Sequence, residues 1–147
     1  MPGGSQELYA NLHREISGKL FTVTVLDRNA GFARRVYSSC PETYPVSGTK
    51  PMAQGAWTDQ VIVRGETFVA NSVAEFAPYF ADCAVIETLG CASALNVPVG
   101  QDQVIGTVNV LDVAGFFTPE RVRHCEHVIA ERLTDVIAVM TAEQASL

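Results

Sequence analysis

Histidine is scarce in this sequence. There are three, and none lies between Gly18 and Arg123. Most of the chain is thus without the side chain that most often serves as metal ligand or general base near neutral pH. No C-x-x-C occurs. The four cysteines, Cys40, Cys83, Cys91 and Cys125, are spaced too widely and irregularly for a zinc finger or a thioredoxin-like motif. Glycine-rich phosphate loops are missing, since neither G-x-G-x-x-G nor the Walker A pattern is present. A G-x-S-x-G elbow is absent too. Ser72 and Ser93 stand in no hydrolase context. No apolar run approaches the roughly 18 to 20 residues of a membrane span. The first eight residues lack the basic and apolar regions of a secretory signal. The expected compartment is therefore the cytoplasm, with reduced thiols. Basic residues are few as well: ten against sixteen acidic ones, a net charge of −6. Such a surface repels nucleic acid and anionic membrane alike.

What is present is apolar. Hydrophobic residues make up 48% of 147 and charged residues 18%, which excludes a disordered chain and fits a single domain over 1–147. A helix is expected over 5–16, with Ser5 as its cap and Leu8, Leu12 and Ile16 as its apolar stripe; the first helical segment closes by 17, before Gly18. Leu20–Asp27 reads as a strand that turns at Asn29 and Gly31 and returns over 32–39. Residues 40–55 hold three prolines and two glycines and read as a long loop, the kind that often forms a binding segment. Residues 56–64 fit no single period. A short strand at 67–70 and two short helices at 72–80 and 82–89 follow, the first weakened by Pro78.

The clearest strands are 91–99 and 104–111, joined by a turn. If Val99 faces Val104, Asn96 faces Thr107 and Ala94 faces Asn109. The period of two then puts Ala94, Asn96, Thr107 and Asn109 on one face, and Leu95, Val97, Gly106, Val108 and Val110 on the other. The sheet and its covering segments thus run over 20–111. One long helix over 118–145 closes the chain, opened by Thr118 and Pro119. Val122, Cys125, Ile129, Leu133, Val136 and Met140 line up along it, flanked by Val128, Ile137 and Val139. That face is wider than one sheet contact requires, which points to a second subunit.

The stretch Leu89-Gly90-Cys91-Ala92-Ser93-Ala94-Leu95-Asn96-Val97-Pro98-Val99, followed by Val104-Ile105-Gly106-Thr107-Val108-Asn109-Val110-Leu111, closely resembles the paired central strands of GAF domains. The order of elements around it matches that family over the whole chain. The resemblance implies an α+β fold: a central antiparallel sheet, terminal helices on one face, and a small-molecule pocket under loops and short helices on the other. GAF domains sense cyclic nucleotides, bilins, haem, metabolites or redox state, often as dimers joined through terminal helices. The expected function is accordingly a non-catalytic sensory or regulatory module. Its expected partners are an unidentified small molecule and a second copy bound through the first and last helices, with no cofactor. With no effector domain expected after Leu147, a signal would pass by association. On this resemblance the ligand-binding residues are Tyr37, Trp57, Tyr79, Phe80, Cys91, Asn96, Thr107 and Asn109.

Competing readings are plainer or more chemical. Asn96, Thr107 and Asn109 would equally serve as water-bonded sheet positions. The free methionine sulfoxide reductases, one GAF branch, use pocket cysteines: a thiolate attacks the sulfoxide sulfur and a second cysteine resolves the product. Cys91 and Cys83 are the catalytic candidates on that reading, though residues 46–55 lack that branch's cysteine-bearing loop. A ligand-free dimerisation scaffold is a third reading. Covalent bilin attachment is not expected without the pocket-flanking histidine. His124, His127, Glu120 and Glu131 share a helix face, where the plain reading is solvation and no metal is expected. Of Arg34 and Arg35, adjacent strand residues on opposite faces, one would reach the pocket mouth and meet an anionic ligand; the plainer reading is two solvated side chains on an edge strand.

Overall fold

The computed structural model describes residues 2–52 and 54–146. Met1, Ala53 and Leu147, which fall inside the expected domain bounds, lie outside the described residues. A six-stranded antiparallel sheet runs in the order β3-β2-β1-β6-β5-β4. Its strands are β1 (Leu20–Asp27), β2 (Phe32–Ser38), β3 (Thr49–Pro51), β4 (Phe68–Ala70), β5 (Ser93–Gly100) and β6 (Val104–Asp112). Helix α1 (Pro2–Ile16), with α5 (Pro119–Glu131) and α6 (Leu133–Ala145), covers one face. The other face carries α2 (Ala56–Thr58), a π-helical turn (Asp59–Val63), α3 (Val73–Phe76), α4 (Cys83–Thr88) and the loop that holds β3. Among the described residues no helix is long and apolar enough to cross a membrane.

Alternation along the strands produces these two faces. Phe21, Val23, Val25, Leu95, Val97, Val108 and Val110 pack under the terminal helices against Tyr9, Leu12, Ile129, Val136 and Met140. Leu20, Leu26, Ala94 and Leu111 point the other way, toward Tyr44, Val61, Phe76, Phe80 and Ile86. The expected split of β5 and β6 therefore holds. Their expected register does not: Asn96 faces Asn109, Pro98 faces Thr107 and Val99 faces Gly106. The slip is two residues, so each side chain keeps its face while its partner changes. Its source is a bulge near the turn, where Gly100 faces Val104 and Ile105 is left over.

A second bulge lies on β2. Val23 faces Tyr37, whereas Thr24 faces Arg35, so Val36 is the extra residue. Val36 and Tyr37 then both pack on the helix side. β2 is also not an edge. The short strand β3, inside the segment expected to be all loop, pairs with it and takes that role, with Pro51 and an exposed surface.

The closing helix is two helices rather than one. Arg132 leaves helical geometry at φ −115° and ψ 17°, and its N–H donates back to Ile129 and Ala130 carbonyls. Its guanidinium pairs with Glu15 of α1 at 2.8 Å. The break lets α5 lie beside α1 while α6 crosses β1, β5 and β6. No large apolar residue of the closing helices is strongly exposed: Val128 is buried, and Ile137 and Val139 are half-buried. At the start of the chain α1 begins earlier than expected. It ends at Ile16, where Ser17 and Gly18 take positive φ values of 70° and 113°.

The crossing of α6 over the sheet needs Gly106. A Cβ there would sit 2.5 Å from the Thr24 carbonyl oxygen and 2.9 Å from Met140 Sδ. The thioether can swing away, but the backbone oxygen of the neighbouring strand cannot. Gly106→Ala is expected to lower stability by about 1–3 kcal/mol in chemical denaturation. Adding Met140→Ala is expected not to restore it, because the backbone clash remains.

Candidate functional site

Between the sheet and its covering segments lies a cavity of about 430 Å³. Its floor is the polar face of the central strands: Thr22 and Thr24 of β1, Asn96 of β5, and Thr107 and Asn109 of β6. Asn96 and Thr107 are almost fully buried. Buried polar groups must be hydrogen-bonded or they destabilise the fold, and here they bond to one another. Trp57 Nε1 donates to Asn96 Oδ1 at 3.0 Å, and Asn96 Nδ2 donates to Asn109 Oδ1 at 2.8 Å. Asn109 Nδ2 donates to the Thr24 and Thr22 hydroxyls at 3.1 and 3.3 Å. The Thr24 and Thr107 hydroxyls pair at 2.6 Å.

The indole fixes the direction of this chain, since it only donates. Asn96 must present its carbonyl to Trp57 and its amide to Asn109. Asn109 must do likewise toward β1. The Thr24 and Thr107 hydroxyls share one bond that either can donate. The chain ends in the hydroxyl groups of Thr107 and Thr22, and Thr22 accepts from Asn109.

Apolar walls rise from this floor, formed by Leu20, Leu26, Ile62, Phe80, Ile86 and Leu111. Tyr79 stands exposed among the lining residues, its ring edge-on to Phe68. Charge enters from the β2–β3 side. Arg35 lies 4.8 Å over the Tyr44 ring and donates from Nη1 to the Pro45 carbonyl at 3.1 Å. Its Nε is buried without an acceptor. The Lys50 ammonium is 5.0 Å from the centre of the Phe80 ring and 5.8 Å from that of Trp57. Asp82 accepts from the Tyr44 hydroxyl at 2.7 Å. Burial pushes the Tyr44 phenol up, and the bond to Asp82 adds to it, so the hydroxyl stays protonated. Burial lowers Arg35, with Tyr44 and Asp82 opposing, while Lys50 extends from the exposed strand β3.

The expected residues divide. Trp57, Tyr79, Phe80, Asn96, Thr107 and Asn109 line the cavity together. Tyr37 does not: the β2 bulge turns it under the helices, against Tyr9 and Phe21 at 5.8 and 5.9 Å. The same bulge settles the arginine pair, with Arg35 in the cavity lining and Arg34 half-buried over Phe32. Cys91 is buried in the core beneath the covering segment, and neither it nor Cys83 lines the cavity. All four cysteines are free thiols. Burial raises the Cys91 thiol, the reverse of what a nucleophile needs.

Among the lining residues that the sequence reading did not assign to the site are Thr22, Thr24, Tyr44, Lys50 and Asp82, and Arg35 had been left as one of two choices. Thr22 and Thr24 alternate with Phe21, Val23 and Val25, so the period-two argument applied to β5 and β6 would have found them. Tyr44, Lys50 and Asp82 lie in irregular segments with no period to read. His127 pairs with Glu131 on an exposed helix face, and no cluster that could hold a metal occurs among the described residues.

No protein-family model matches the chain, and no curated protein matches it in sequence. Solved structures do match in shape. The GAF domain/HD domain protein from Geobacter sulfurreducens superposes with a TM-score of 0.72 at 11% identity, over 95% of this chain and 93% of that one. The GAF domain of a phosphoenolpyruvate-protein phosphotransferase from Coxiella burnetii gives 0.69 at 16%, over 98% and 86%. The GAF domain of a two-component sensor histidine kinase from Bacillus halodurans gives 0.64 at 13%, over 90% and 92%. The chain has the GAF fold. At identities this low the superpositions show the architecture alone.

Thiol burial in this GAF-fold domain gives a direct check. Cys40 and Cys83 are half-buried, Cys91 and Cys125 are buried, and the Cys125 thiol is pushed up to about 11 by burial and by Glu126. Peptide mapping after limited iodoacetamide treatment is expected to find Cys40 and Cys83 modified first. Early modification of Cys91 would contradict the buried, protonated thiol described above.

Proposed function

We propose that this GAF domain is a non-catalytic sensory or regulatory module that binds a small organic molecule in the cavity between its sheet and its covering segments. One observation carries the reading: a cavity of about 430 Å³ with apolar walls stands over a floor whose polar atoms form a directed hydrogen-bond chain. Apolar walls with a few oriented polar groups are what a small-molecule site requires, and the volume falls at the lower end of the usual range. The fold neighbours support the regulatory part, since their descriptions include a sensor histidine kinase and a phosphotransferase. The thiol-redox reading loses support because Cys83 and Cys91 are outside the cavity lining. A scaffold whose cavity had been filled by side chains would lack the open space seen here.

Native mass spectrometry of protein purified from its host, with a thermal-shift screen of small metabolites, tests this reading. Wild type is expected to carry or acquire a non-covalent adduct. Ala33→Phe, which places a ring in the cavity, is expected to melt cooperatively and to lose that adduct. A wild type that stays bare and unshifted, or a filled variant that binds as well, would refute it.

The first and last helices are where a second copy is expected. An open depression of about 880 Å³ lies between α1, β2 and α6, with Leu8, Val36, Val139 and Ala142 on its walls. We assign this depression to a homodimer formed through the first and last helices. Sedimentation equilibrium is expected to give a dimer for wild type and a monomer for Val139→Glu. A wild type that is monomeric across the micromolar range would end the assignment.

A further inference from the structure

The charged residues of the cavity lining are Arg35, Lys50 and Asp82, two cations and one anion, for a formal charge of +1. The chain as a whole carries −6. A local positive excess inside an acidic protein is a departure that calls for a cause. The three ion pairs among the described residues, Arg64–Glu66, His127–Glu131 and Arg132–Glu15, include neither cavity cation. Asp82 is engaged by the Tyr44 hydroxyl. Arg35 spends Nη1 on a backbone carbonyl and stacks on Tyr44, yet its Nε is buried with no acceptor. The Lys50 ammonium stands over two aromatic rings, which attract it but accept no ordinary hydrogen bond from it.

We infer that the ligand of this cavity is a small organic monoanion, a carboxylate on an apolar or aromatic body, with its charged end held by Arg35 and Lys50. The inference deepens the small-molecule reading above and rests on it. A carboxylate offers two coplanar oxygens, which suit a guanidinium edge, and leaves lone pairs for an ammonium. A single negative charge brings the lining to neutrality. A dianion would add an uncompensated charge beside Asp82 in a partly desolvated site. The body of the ligand is set by the walls, where Leu20, Leu26, Ile62 and Phe80 offer only apolar contact. The lowered ionisation of Arg35 agrees with this geometry: burial is its largest cause, and an arriving anion relieves it.

Trp57 is the one tryptophan of the chain and lines the cavity, so its indole N–H cross-peak in a ¹⁵N-labelled sample reports occupancy. The probes are matched pairs of equal shape, 3-phenylpropionate with 3-phenylpropionamide and 4-methylpentanoate with 4-methylpentanamide, together with phenyl phosphate as a dianion. The acids are expected to move the Trp57 peak saturably, with affinities at least about tenfold above those of their amides. Arg35→Gln and Lys50→Met are each expected to remove that preference. The affinity for the amide is expected to stay unchanged, which shows that the cavity is intact in the variant. Equal binding of acid and amide would overturn the charge assignment and leave the small-molecule reading standing. Tighter binding of phenyl phosphate would overturn the monoanion. Failure of every probe to move the peak would overturn the inference, and with a bare, unshifted protein in the adduct experiment above the small-molecule reading would fall with it.

Discussion

The indole N–H of Trp57 is a donor and nothing else, and the order of the site follows from that restriction. It makes Asn96 present its carbonyl oxygen, which turns the Asn96 amide toward Asn109 and the Asn109 amide toward Thr24 and Thr22. Four pieces of chain are tied by this one sequence of bonds: the covering segment, β5, β6 and β1. Each link buries polar atoms that would destabilise the fold if left unpaired, so the links stand or fall together. The cavity therefore has a rigid polar floor although its roof is made of short, irregular segments.

Register is the second condition. Asn96 reaches Asn109 because the two are directly opposed, and Thr24 reaches Thr107 for the same reason. Two bulges complete the arrangement. The extra residue Ile105 offsets the turn so that the asparagines meet, and it leaves Gly106 under α6 where no side chain fits. The extra residue Val36 reverses the alternation of β2 midway. Arg35 then faces the cavity while Tyr37, two positions on, faces the helices. A regular strand would have sent both to the same side.

These devices mark the boundary between what the residues disclosed in advance and what they did not. The two faces of β5 and β6 were legible because a period of two survives a slip of two residues. The partners were not, since register depends on turn geometry that Gly100 and Gln101 alone do not declare. Tyr37 was misplaced because a bulge leaves no mark in the run Phe32-Ala33-Arg34-Arg35-Val36-Tyr37-Ser38. The single closing helix was expected because its apolar line continues past Arg132 without a fault; the break arises from packing, with Glu15 of α1 holding Arg132 and α6 turning over the sheet. Trp57, Tyr79 and Phe80 were legible as roof aromatics from their place in the covering segments. Lys50, Tyr44 and Asp82 were not, because an irregular loop brings residues together by contacts that no periodicity encodes.

The charge arithmetic has a similar limit. A net charge of −6 describes how the surface meets large polyanions, whose many charges sense the summed field. It says little about a small ligand inside a cavity. Beyond roughly 8 Å at physiological ionic strength the surface charges are screened, whereas groups within the cavity meet a ligand at close range and with little intervening water. Arg35 and Lys50 thus govern the cavity even though acidic residues govern the exterior. The two scales also act in sequence. The surface charge acts on large partners through the summed field, and the local excess of one positive charge acts on molecules small enough to enter. Global and local charge of opposite sign are in this way compatible features of one domain, each acting over its own range.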